Sequence, residues 1–96
     1  SREYKYTIGE SLKNETIKMI THIYRANSTY SKTVVIQSAR ENIEVIRLFV
    51  RLLKDLGQIG VKKIVQVNEK IESVSKQLVA WQRSSKTNEA LVKDIK

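Results

Sequence analysis

The apolar residues fall into three runs with helical spacing, separated by two short polar breaks. The first run predicts a helix over about 7–28. Ile8, Leu12, Met19, Ile20 and Ile23 share one face, while Lys18, His22 and Arg25 share the opposite one. Thr7-Ile8-Gly9-Glu10 fits a capping box at its start, and Asn27-Ser28-Thr29 supplies turn chemistry at its end. The second run predicts a helix over about 31–56, closed by Gly57 in a left-handed cap. Its main stripe is Ile36, Ala39, Ile43, Ile46, Val50 and Leu53. Val45, Leu48, Phe49, Leu52 and Leu56 carry the apolar surface around the back. A helix with one wet face shows a narrower stripe, so this one is either sandwiched between neighbours or bears a subunit interface. The third run predicts a helix over about 61–84. Ile64, Ile71 and Leu78 repeat every seven residues, and Val67, Val74 and Trp81 follow three behind. That is an a/d seam, with Trp81 as a core anchor at a d position. The four-residue linker 57–60 makes the second and third helices antiparallel neighbours. Residues 85–96 are polar, with Leu91, Val92 and Ile95 as the only anchors, and read as a frayed tail or one short helix. The expected fold is therefore all-α, an antiparallel up-and-down bundle in a single domain, 1–96, with its core at about 4–84.

Composition narrows the chemistry. Ninety-six residues without cysteine exclude disulfide staples and thiolate metal sites. The absence of proline agrees with long helices. No apolar run approaches the roughly 20 residues of a membrane span, and no signal-peptide pattern is present, so a cytoplasmic location is the default expectation. A single histidine, His22, on the polar face of the first helix reads as a solvated surface residue. With no HExxH, no phosphate loop and no nucleophile beside a base, neither a metal, a cofactor nor catalysis is expected.

Charge is the remaining signal. Lys plus Arg number 18 against 10 for Asp plus Glu, a formal net charge of +8. The excess is spread along the chain, unlike a disordered basic arm. On the second helix Arg40, Arg47, Arg51 and Lys54 lie within about 60° of one another and span roughly 21 Å of rise. Arginine is the better bidentate partner for phosphate oxygens. Lys62 and Lys63 extend the stripe past the turn, as do Lys70 and Arg83 on the third helix. Glu44 and Asp55 neutralise part of it, so the stripe is either a solvated face or a backbone-directed, salt-sensitive nucleic-acid surface.

Three segments carry a family resemblance. Tyr4-Lys5-Tyr6-Thr7-Ile8-Gly9-Glu10-Ser11-Leu12 is similar to a basic-aromatic-x-Leu-Gly-x-x-Leu opening. The run from Ile46 to Leu56 is similar to a Leu-Arg-x-x-x-Arg-Leu-x-x-Asp signature, and the run from Leu78 to Ser84 to a Leu-Gly-Gly-Trp-Leu-Lys ending. In order and spacing they resemble the accessory variability determinant (Avd) proteins of diversity-generating retroelements. These belong to the four-helix-bundle group that includes proteins encoded in ribosomal-RNA intervening sequences. The resemblance implies a ring-like homopentamer, with the retroelement reverse transcriptase and its template RNA as partners. The implied role is non-catalytic support of error-prone cDNA synthesis during mutagenic retrohoming, with Arg47 and Arg51 as the signature arginines. The alternative is a structural oligomeric bundle without a specific nucleic-acid role. Two departures stand out. Val79-Ala80 replaces the Gly-Gly before the tryptophan. The family also has a helix ahead of the opening motif. The groove it occupies is expected to be filled by a helix missing from this chain, by a partner chain or by the 85–96 tail.

Overall fold

The structure, a computed structural model, describes residues 2–95. It contains three helices: α1 (Arg2–Asn27), α2 (Lys32–Asp55) and α3 (Val61–Ile95). The side chains of Tyr4, Lys5 and Ile95, used in the sequence reading, lie outside the described residues. The expected all-α architecture is what the chain adopts. Helix α2 is central and packs against both others. Its partners on α3 descend as its own numbers rise, Thr33 with Glu89, Arg40 with Gln82 and Arg47 with Glu72, so the two run antiparallel. The molecule measures 58 × 21 × 15 Å. At 1.5 Å per residue, the 35-residue α3 spans about 52 Å and sets the long dimension.

The core forms where the predicted stripes meet, except on α1, where Ile20 is 56% exposed because it sits about 100° round the helix from buried Met19, and Ala26, outside the predicted stripe, is buried instead. Ile36, Ala39, Ile43, Ile46, Val50 and Leu53 of α2 are buried, with Met19 and Ala26 of α1 and Ile64, Ile71 and Leu78 of α3. The a positions of the α3 seam are thus fully covered. Its d positions are only half-buried: Val67, Val74 and Trp81 pack against the edge of the core. Val74 and Trp81 line a groove between α3 and Ile23 and Asn27 of α1. Trp81 is accordingly a groove wall rather than the core anchor expected of it, because α1 and α3 do not close on each other across α2.

Two helix boundaries differ from expectation. Helix α1 continues back to Arg2, and the hydroxyl of Thr7 donates to the carbonyl of Glu3 at 2.9 Å instead of capping a helix start. No residue from 2 to 6 breaks a helix, and a threonine inside a helix bonds its i−4 carbonyl. Residues 85–95 are neither a frayed tail nor a separate helix. They prolong α3 without a break, so they do not turn back into the α1–α3 groove. Ser85 is buried at the next a position after Leu78, and Glu89 reaches α2.

The turns follow the sequence more closely. Gly57 takes a positive φ of 69°, and Gln58 N–H donates to Leu53 while Gly57 N–H donates to Lys54. Those two bonds form a Schellman closure of α2. Between α1 and α2, Lys32 Nζ donates to the carbonyl of Ala26 at 2.7 Å, placing a cation on the C-terminal end of α1.

Candidate nucleic-acid interface

The basic stripe predicted on α2 lies along the edge facing α3, and α3 divides it. In the third turn of α2, Arg40 Nη1 donates to Gln82 Oε1 at 2.5 Å. Gln82 is buried, and its amide nitrogen donates to Gln37 Oε1 at 2.9 Å and to the Thr33 carbonyl at 3.2 Å. Arg40 therefore serves as one donor in a closed polar network that joins the two helices. Sequence reasoning missed Gln82, because a glutamine next to a d position looks like any other polar flank.

Two turns further on, Arg47 is half-exposed. Its Nη1 pairs with Glu72 of α3. Its Nε lies 3.4 Å from Glu44 but out of line for a hydrogen bond, and that buried nitrogen has no bonded partner. The guanidinium thus has one good contact and one loose one. It stands in a cleft between the last turns of α2 and the first turns of α3, floored by Val50 and Ile64 and edged by Arg51, Lys54, Asn68 and Glu72.

Arg51, Lys54, Lys62 and Lys63 are exposed, and among the described residues none of the four forms an ion pair. From 51 to 63 the chain carries these four cations against a single carboxylate, Asp55. The Schellman turn brings the end of α2 and the start of α3 together, so the four share one end of the bundle. Of six predicted phosphate-binding residues, this open end gathers four, Arg47 borders it, and Arg40 is held in the interhelical network.

His22 is not the solvated residue expected from its place on the polar face. Its Nδ1 lies 2.6 Å from Oδ1 of buried Asn42, whose amide nitrogen donates to Glu15 Oε1 at 2.7 Å. The Glu15 carboxylate only accepts, which fixes the amide orientation and requires His22 Nδ1 to donate. Lys18 approaches the same carboxylate at 3.8 Å. This network crosses the α1–α2 seam and does structural work. Among the described residues no group of His, Asp and Glu side chains is placed to hold a metal, and no helix is long and apolar enough to cross a membrane.

No curated protein and no solved structure matches the chain. A family model does: the one described as bAvd-like covers residues 1–85, which takes in α1, α2, the basic turn and α3 through Ser85, and the chain belongs to that Avd-type family.

Proposed function

We propose that this protein is a non-catalytic accessory factor of a diversity-generating retroelement, binding template RNA or its RNA/cDNA product together with the reverse transcriptase, and working as a homo-oligomer. The observation that carries the reading is the open basic end, where Arg51, Lys54, Lys62 and Lys63 stand exposed without partners among the described residues. Membership of the Avd-type family supports it independently. The chain carries no base-reading motif, and its cations are spread along the end as a backbone-tracking surface would need. Recognition is of the phosphate backbone, and oligomerisation multiplies the cationic end by the number of subunits.

Changing Arg51, Lys54, Lys62 and Lys63 together to Gln removes four charges per chain and leaves the core untouched. Titration of a labelled template-RNA fragment by anisotropy at two salt concentrations is expected to show at least tenfold weaker binding by the variant. The slope of log affinity against log salt should become shallower by about 3 for each subunit whose basic end the RNA engages, since each neutralised phosphate contributes roughly 0.7–0.9. Equal affinities for variant and parent would leave a structural bundle whose charge serves solubility. Co-purification with the reverse transcriptase of the same element checks the protein partner.

A further inference from the structure

We infer that Glu72 occupies, in the free protein, the place that an RNA phosphate takes when RNA is bound, so that Arg47 exchanges one for the other. The inference rests on the nucleic-acid reading above and gives it a specific residue pair.

The geometry has three parts. First, Arg47 is the innermost cation of the α2–α3 cleft, which it shares with Arg51, Lys54 and Asn68. A phosphate entering among Arg51 and Lys54 meets Arg47 next. Second, Arg47 is incompletely satisfied. Glu72 holds Nη1, while Nε has Glu44 at 3.4 Å but no hydrogen bond. A guanidinium donates two parallel bonds to a carboxylate or a phosphate, and the pair with Glu72 uses one of them, which leaves room for a better-placed oxyanion. Third, Glu72 has somewhere to go. Its carboxylate is half-exposed and stands on the ridge between the cleft and a second depression on α3 that contains Lys76. Glu72 and Lys76 are spaced i,i+4 with the acid on the N-terminal side, the favourable order for a pair on one helix. A half-exposed ion pair contributes modestly to stability, so releasing it costs little.

The exchange sets a threshold on binding. A single anion meets the Glu72 carboxylate already in place. A polyphosphate backbone held by Arg51, Lys54, Lys62 and Lys63 presents its next phosphate at high local concentration and displaces Glu72.

A double-mutant cycle tests the exchange with a 20-nucleotide single-stranded RNA as probe. Glu72→Gln is expected to tighten binding by about three- to tenfold, because the competitor is gone. Arg47→Gln is expected to weaken it. In the Arg47→Gln background, Glu72→Gln should change affinity by less than twofold, since the arginine through which it acts is absent. Circular dichroism of each variant confirms the helical fold. If Glu72→Gln tightens binding equally in both backgrounds, the carboxylate acts only as a distant repulsive charge and the exchange is wrong. If it leaves affinity unchanged while the fourfold Gln variant loses binding, the exchange is again wrong but the basic end stands. If the fourfold variant binds as the parent does, the nucleic-acid reading itself fails.

Discussion

Asn42 holds α1 and α2 together with the two ends of one amide, its oxygen accepting a hydrogen bond from His22 and its nitrogen donating one to Glu15. Both bonds exist only in the folded chain, and the amide is buried. Asn42→Ala is expected to destabilise the protein by about 1–3 kcal/mol, because Glu15 and His22 lose their shared partner and a gap opens beside the core. Urea denaturation of parent and variant measures it. Asn42 and Gln82 were invisible to pattern reading. A periodic stripe identifies apolar positions, whereas a polar residue at a stripe's edge looks the same whether it is solvated or locked between helices. Phenylalanine or leucine repeats reveal burial because burial is their ordinary fate; amides reveal it only through partners distant in sequence. Residues 22 and 42 are such partners, and so are 40 and 82.

The helices themselves were more legible, and the exceptions are instructive. The closure of α2 was readable because Gly57 is the only residue type that takes its φ of 69° without strain. The opening of α2 was not. Ser31 precedes the helix but makes no capping bond with its side chain. Glu89, on the far end of α3, accepts from the Thr33 N–H at 3.1 Å and the Thr33 hydroxyl at 2.9 Å. A cap borrowed from 56 residues away leaves no local signature, and it also explains why α3 stays ordered beyond Ser84. The backbone N–H and then the hydroxyl of Thr33 hold the Glu89 carboxyl below its ordinary range. A depressed carboxyl pKa stabilises the fold above the unfolded value, and the gain is lost as pH falls through the folded one. The start of α2 and the last turns of α3 are therefore expected to loosen together as pH falls below 4.5, through the lowered value of Glu89. Hydrogen exchange at the Thr33 amide should accelerate there by more than the intrinsic rate predicts. Glu89→Gln should remove this step, with the amide protected less at neutral pH and no further loss of protection on acidification.

The bundle as a whole exposes more than its mass requires. Its accessible surface is 7113 Å² for 11.1 kDa, where a compact monomer of that mass shows about 5,700 Å². Part of the excess is the elongated shape, and part is apolar. Leu48, Leu52 and Leu56 of α2 are 52%, 38% and 45% exposed, and Val45 and Phe49 beside them are half-buried. These five are the residues whose spacing carried the apolar surface of α2 past a single face, and α1 and α3 leave all of them at least partly open. One side of α2 therefore builds the core and the other stays largely open, and the occupant we propose for it is a second copy of the chain. Burying the exposed parts of two leucines contributes on the order of 1 kcal/mol per side chain, gained again in every subunit of a closed ring. Leu48→Glu with Leu52→Glu places two carboxylates on that face while leaving the buried stripe of α2 intact, so the chain should remain helical. Light scattering at micromolar concentration is expected to show the parent as an oligomer, five chains if the count follows the family resemblance, and the double variant as a monomer. A parent that is already a well-folded monomer would remove the subunit interface and leave the α2 face without a role. A variant that stays assembled would move the interface to another open apolar surface, such as the α1–α3 groove walled by Ile23, Val74 and Trp81.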